Sequence, residues 1–204
     1  PLGRPFLRRI IDLTRGIQKP HHHRNLDKNA RSDLERWSIF IEHFNGRAFF
    51  PSGLTNTSET LHMFTYASNL GYGCVFGLNW FLGLFDTSWQ DLHISVKELF
   101  PIILSIETWG SPWSNSSIGL HSDNIAVVHV IHKLTSKDSY LMKLMRRLMI
   151  AALTYNFHFH TEHIPGLYNT AADLLSRLQI QHFRVSFPEM DNESTAVLQT
   201  SLHL

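Results

Sequence analysis

The chain has 204 residues, 43% of them apolar and 17% charged, and a formal net charge of +1 with its histidines neutral. That length suits one domain of ordinary size with flanking segments, and that composition excludes a disordered chain. The near-balanced charge neither demands nor excludes a nucleic-acid partner.

The 14 histidines would add positive charge below about pH 6.5. The single cysteine, Cys74, rules out an internal disulfide and suits an intracellular protein of cytoplasm or nucleus. A first residue that is proline, with no cationic and apolar leader, reads as a piece of something longer. The most apolar stretch, 72–85, is too short and too broken by glycine and asparagine to span a bilayer, so no membrane partner is expected. Asn-x-Ser/Thr triplets at Asn56, Asn115 and Asn192 read as coincidence without a secretory signal.

In chain order, Phe6, Ile10, Leu13 and Ile17 give 1–17 a helical period, which Pro20 and the tract His21-His22-His23 interrupt. That tract reads as a solvated loop rather than a metal site. A second helix is expected over 30–43, with Leu34, Trp37, Ile41 and Phe44 as its stripe and Ser32-Asp33 as its cap. Asn45-Gly46 stops it. The Ser/Thr/Asn/Gly-rich run around 51–59 reads as a linker or loop. Strands follow at 61–67, 71–79 and 80–85, joined shortly, as in an antiparallel meander. Ser95-x-x-Glu98 has the form of a capping box opening a helix to Trp109, with Pro101 in its first turn or two. A strand at 117–122, helices at 124–132 and 139–155, a strand at 156–164 and a helix at 170–177 complete the pattern. Beyond 178 the periodicity fades.

The order β-β-β-α-β-α-α-β-α implies an α/β fold with one mixed five-stranded sheet and helices on its faces. The expected organisation is a helical connection over 1–52, a linker over 53–59, the α/β domain over 60–178 and a loosely ordered tail over 179–204.

Such a fold can bring four positions to one point: the centre of strand one, the start of the first helix of the α/β part, the end of strand four and the start of the last helix. They hold Tyr66, Glu98, Asp123 and Asp173. Clustered carboxylates repel one another and become stable when divalent cations sit between them. Two magnesium ions about 4 Å apart can activate a water and stabilise the leaving oxygen of a phosphodiester. Each acid also has a local reading. Glu98 can close a capping box, Asp123 can cap the helix after it, and Asp173 in a first turn is favoured by the helix dipole alone.

Several blocks resemble the RNase H domains of retroelement reverse transcriptases. Phe64-Thr65-Tyr66-Ala67-Ser68-x-x-Gly71-Tyr72-Gly73 resembles their opening strand, and Glu98-Leu99-Phe100-Pro101-Ile102 with Trp109-Gly110 their first helix. Ser122-Asp123-Asn124-x-Ala126-Val127-Val128 resembles the fourth-strand block. His163-Ile164-Pro165-Gly166-x-x-Asn169-x-x-Ala172-Asp173-x-Leu175-Ser176-Arg177 resembles the closing block and is the most specific. The segment from Gly3-Arg4-Pro5-Phe6-Leu7-Arg8-Arg9 to Phe44-Asn45-Gly46 resembles the polymerase-to-RNase H connection of DIRS-like retrotransposons.

The resemblance implies an RNase H-like fold that hydrolyses the RNA strand of RNA/DNA hybrids with Mg2+, or Mn2+, beside a reverse transcriptase domain. It implies metal ligation by Glu98, Asp123 and Asp173. It implies a proton-transfer or product-release role for His163, whose local alternative is a turn-entry histidine bonded to the backbone. Ser68, Asn124, Asn169 and Arg177 would face nucleic acid. Further phosphate contacts are open to Arg8, Arg9, Arg15, Lys19, Arg24, Lys28 and Arg31, and to Lys133, Lys137, Lys143, Arg146 and Arg147, each of which also reads as an ordinary solvated charge.

The pattern breaks at Tyr66, where the family's first aspartate belongs. A phenol is neutral at pH 7 and a poor magnesium ligand. The expectation is a weak or inactive nuclease, with a non-catalytic nucleic-acid-binding or structural module on the same fold as the alternative.

Overall fold

A computed structural model describes residues 3–19, 21–42 and 61–197. The chain divides into two compact units, Pro1–Asn56 and Thr57–Leu204. The expected linker 53–59 lies outside the described residues.

In the first unit α1 (Arg4–Thr14) begins with Pro5 in its first turn, where a missing N–H costs nothing. It packs on α2 (Lys28–Glu42) through Phe6, whose ring meets Phe40 edge-on at 5.4 Å. Three expectations for α2 change. Its first turn is capped by Asp27, which accepts from Ala30 N at 2.7 Å, and not by Ser32-Asp33. Asp33 lies inside the helix, buried, and pairs with Arg9 at 3.3 Å. The stripe is also turned: Leu34 and Ile41 are exposed, Ile41 by 68%, while Ala30 and Asp33 are buried.

The second unit is built on five strands: β1 (Leu61–Ala67), β2 (Gly71–Phe76), β3 (Asn79–Leu84), β4 (Ser117–Ser122) and β5 (His158–His163). Their order is β3-β2-β1-β4-β5. The first three form the antiparallel meander, and β4 and β5 join it in parallel. This is the mixed sheet, and the RNase H-like arrangement, that the sequence implied. Parallel joins need crossovers. They are supplied by α3 (Ile94–Trp109), which leads from β3 to β4, and by α4 (Ile125–Lys133) with α5 (Ser139–Tyr155), which lead from β4 to β5. All four residues of the α5 stripe, Leu141, Leu144, Leu148 and Ala152, are buried.

On one face α3 contacts β1, β2 and α5. On the other lies α6 (Thr170–Ser176), against β1, β2 and β3. The glycines of the Gly71-Tyr72-Gly73 block explain that contact. A Cβ on Gly73 would stand 2.5 Å from Leu175 Cβ and 2.6 Å from Ala172 O. Only a glycine admits α6 this close, and that closeness carries Asp173 to the sheet.

Three boundaries differ in instructive ways. His93 caps α3 by accepting from Ser95 N at 3.1 Å, so Ser95 opens no capping box and Glu98 is freed. Pro101 is the eighth residue of α3, past the first two turns, and it forfeits the hydrogen bond to the Lys97 carbonyl. The segment after 178 is not loose over its described length. It forms α7 (Ile180–Ser186), and Phe183 is fully buried with Val75, Trp80, Leu174 and Leu175. Trp80 Nε1 then donates to Asp191 O at 2.8 Å, and Thr195 N donates to Trp80 O at 2.8 Å. One apolar residue per turn is too weak a period to read in so short a helix. Residues 198–204 lie outside the described residues.

Candidate active site

Tyr66 sits near the C-terminal end of β1, on the face that carries α6. Asp123 follows the last residue of β4, Glu98 comes from α3, and Asp173 from α6. These elements meet where β1 and β4 run side by side in parallel. A cleft of about 500 Å³ opens there, lined by Tyr66, Ser68, Glu98, Asp123, Asn124 and Arg177 among others.

The cap of α4 decides between two readings of Asp123. Asn124 is the cap, its Oδ1 accepting from Ala126 N at 3.0 Å and Val127 N at 3.3 Å. Asp123 is thereby released from capping, and its Oδ1 is buried with no hydrogen bond. Burial raises its carboxyl above the usual range, against its own backbone N–H and the charge of His163. Glu98 is pushed further, to about 9, by burial first and then by the charge of Asp123, with a backbone hydrogen bond at Ala67 opposing. Its Oε2 also lacks a partner.

Tyr66 stands among these acids. Burial, then the charges of Asp123, Asp173 and Glu98, raise its phenol above 10.0 and keep it neutral. Arg177 and Asp123 both line the cleft beside the phenol. Arg177 Nε also pairs with Asp173 Oδ1 at 2.7 Å. One of the three acids is therefore already paired with a cation at the cleft.

The remaining expected residues divide by burial. His163 is exposed, with Nε2 3.0 Å from the Asp123 carbonyl oxygen. This is the backbone contact of the local reading, placed beside the cleft. Asn169 is 2% exposed and donates to Thr65 O at 2.7 Å, tying the turn before α6 to β1. It is a positioning residue for Asp173 and offers no surface to nucleic acid. Ser68 accepts from Leu70 N and Gly71 N and donates to Ser176 O at 2.8 Å, so it too holds α6 to the β1–β2 turn.

No protein-family model matches the chain, and no curated sequence does. Solved structures with a similar backbone include the N-terminal RNase H domain of a Mycobacterium tuberculosis protein, fused to maltose-binding protein. It is 18% identical at a TM-score of 0.49, over 63% of this chain and 99% of that one. RNase H1 of Halobacterium salinarum is 16% identical at 0.47, over 61% of this chain and 99% of that one. The prototype foamy virus protease-reverse transcriptase is 9% identical at 0.38, over 81% of this chain and 22% of that one. At such identities a likeness concerns backbone architecture and not chemistry.

The donors suit a hard cation in part. Glu98 Oε2 and Asp123 Oδ1 are buried oxygens lacking partners, as ligands for magnesium would be before it binds. Tyr66 is a neutral oxygen where a fourth charge is needed, and Arg177 already neutralises Asp173. Among the described residues, no group of three or more histidine, cysteine, aspartate or glutamate side chains is placed to hold a metal ion. Nor is any helix among them long and apolar enough to cross a membrane.

Sequence reading missed one feature of the same sheet face. His62, His121 and His160 converge beside Glu162. The alternation His158-x-His160-x-Glu162 along β5 was the available signal.

Proposed function

We propose that this chain is the RNase H-type module of a retrotransposon reverse transcriptase polyprotein, DIRS-like in its connection segment, whose nuclease activity is impaired at Tyr66. The observation that carries the reading is the meeting of Glu98, Asp123 and Asp173 around position 66, on an RNase H-like sheet. The motif blocks that resemble the family lie on the elements that meet there.

Glu98, Asp123 and Asp173 would hold Mg2+ or Mn2+, which when bound activates water and stabilises the leaving oxygen. Glu98 must first lose its proton. Tyr66 supplies no charge. His163, exposed beside the cleft, is placed to carry a proton to or from solvent. The substrate is the RNA strand of an RNA/DNA hybrid, and the partner is an adjacent polymerase domain.

The decisive experiment is cleavage of a labelled RNA/DNA hybrid in Mg2+ or Mn2+, comparing the natural chain with Tyr66→Asp. The variant is expected to cut faster by on the order of 10²-fold or more, since misplacing a reacting group costs about that much. Equal rates overturn the impairment. A folded variant that cuts nothing overturns the nuclease site.

A second reading is a non-catalytic hybrid-binding module, and Arg177 favours it. Its guanidinium pairs with Asp173 at 2.7 Å, so one of the three acids is neutralised without a metal. Binding of uncut hybrid that weakens steeply with salt supports this reading, and a flat salt response sinks it.

A further inference from the structure

The sheet face that carries Tyr66 continues past the cleft. Phe64 precedes Tyr66 by two residues on β1 and points to the same side. Where Tyr66 lines the acid cleft, Phe64 lines a second and larger groove, of about 1000 Å³. His62 and His160 share it with Phe64 from the sheet, joined by Tyr168 from the turn before α6 and by Phe187 and Met190 from beyond α7. Its described lining holds no lysine or arginine, and one acid, Glu162.

The sheet side of the groove is a set of fixed rings. Gly119 lies at its centre, paired with His62 on β1 and with His160 on β5. Side chains on either side of a glycine lean into the space its missing Cβ leaves. His62 Nδ1, His160 Nε2 and His121 Nε2 stand 3.1, 3.3 and 3.4 Å from the position a Cβ on Gly119 would take. His62 Nδ1 and His121 Nε2 are hydrogen-bonded to each other at 2.8 Å, and Phe64 stacks on His121 with centroids 4.6 Å apart and planes 12° from parallel. His121 is buried, so the ring surface left open is that of His62, Phe64 and His160. Between cleft and groove stands the turn Gly166–Tyr168. A Cβ on Gly166 would lie 3.5 Å from Asp123 Oδ2, at the cleft, while Tyr168 lines the groove. The turn is closed by Tyr168 N donating to Pro165 O at 2.8 Å and Asn169 N to Gly166 O at 3.0 Å. Leu167 and Tyr168 are nevertheless 82% and 75% exposed. Side chains so exposed add little to the fold, and on a fixed backbone they can be covered at small cost in freedom.

We propose that this groove is a track for unpaired nucleotides flanking a hybrid seated in the acid cleft, with Tyr168 stacking on the first unpaired base and Phe64, His62 and His160 receiving those that follow. It rests on hybrid binding at the cleft and adds a second, separate contact to it. Every base has a π-face, so tyrosine, phenylalanine and imidazole rings take it whatever the sequence. A base inside a duplex already has a neighbour on each face, so exposed rings select unpaired strand. With no lysine or arginine in the described lining, the groove does not grip phosphate. Glu162, 3.6 Å from His160 Nε2 and 3.7 Å from His121 Nδ1, repels it, which turns bases and not backbone toward the rings. The track begins where the cleft ends, because Phe64 and Tyr66 are one strand repeat, about 7 Å, apart.

The test measures binding of the full chain to uncut RNA/DNA hybrids, one blunt and the others carrying a short single-stranded extension at each strand end in turn. An extension at one end should tighten binding about 10-fold over the blunt hybrid, the usual worth of a stacked base. That gain should hold as salt is added, while the affinity of the blunt hybrid falls. Tyr168→Ala should abolish the gain, and Tyr168→Trp, which keeps a stacking face, should retain it. Both substitutions fall on an exposed side chain and leave the fold intact. The track is overturned, and the cleft reading stands, if the blunt hybrid binds and no extension adds affinity, or if the gain survives in Tyr168→Ala. A loss in Tyr168→Ala that is equal for blunt and extended hybrids places Tyr168 at the duplex and also overturns the track. If neither blunt nor extended hybrid binds, the track and hybrid binding at the cleft fall together.

Discussion

At the ends of β1 and β4 three carboxylates crowd a phenol. Two residues back along β4 three imidazoles crowd a glycine. The imidazoles share one sheet face and the acids gather at the strand ends from both, yet the two clusters handle charge in opposite ways. The acid cleft neutralises itself: Glu98 holds its proton, Tyr66 stays neutral and Arg177 covers Asp173. The imidazole cluster carries no such internal cation, and its space comes from a side chain that is missing. The supports differ too. The imidazoles stand on strands alone, whereas the acid cleft needs α3 and α6, and α6 is held down by α7.

That difference in support gives the largest expected effect. Phe183 of α7 is fully buried against Leu174 and Leu175 of α6. Phe183→Ala should cost about 3–5 kcal/mol in urea unfolding, the usual loss for a buried phenylalanine. In the chain that remains folded, the NMR ring signals of His62 and His121, which stand on the strands, should stay as in the parent while Mg2+ binding at the cleft falls. Equal disturbance of both would show that the two clusters share a support and would end the comparison.

The second prediction separates the clusters by pH. Glu98 holds its proton up to about 9 in the folded chain, against an ordinary value of 4.5. Between those values the folded state binds more protons than the unfolded one, so stability must fall as pH rises. The contribution is fully present below 4.5 and gone above about 9. Glu98→Gln keeps the shape without the ionisation, so the difference in stability between variant and parent should grow in the variant's favour from pH 5 to pH 9. Apparent Mg2+ affinity of the parent should rise over the same interval, because the metal displaces that proton. A difference that does not change with pH would mean that Glu98 is ionised throughout and the cleft is wetter than its geometry indicates.

How much of this was legible beforehand follows from where the signals lie. The strands were readable because alternation and glycine punctuation are local, and all three cleft acids were found through motif blocks that keep their spacing. Local chemistry alone misassigned the caps. Ser95-x-x-Glu98 has the right spacing for a capping box, but His93 takes that role, and only the resulting start of α3 shows which way Glu98 points. Asn169 carries a motif position that looks like a substrate contact, and burial makes it a fastener of α6 instead, whereas Ser68 fastens α6 and still lines the cleft. Spacing offered only the alternation along β5, because the other members of the imidazole cluster come from two further strands whose register is set by tertiary pairing.

Arg177 carries the smallest expected effect and the sharpest choice between the two functional readings. Its pair with Asp173 is half exposed, with side-chain exposures of 48% and 28%. Pairs of this kind contribute only about 0.2–1 kcal/mol, so Arg177→Gln should leave unfolding nearly unchanged. What changes is the charge presented to a ligand. If the cleft is a disabled metal site, removing the guanidinium frees Asp173, and Mg2+ should bind a few-fold more tightly while hybrid affinity is unaltered. If the cleft has become a binding surface, the same substitution should weaken hybrid binding and flatten its salt dependence by about one phosphate contact, with Mg2+ affinity unmoved. Titrating one variant with Mg2+ and with an uncut hybrid distinguishes the two readings, because a cation that substitutes for a metal and a cation that grips a phosphate act in opposite directions.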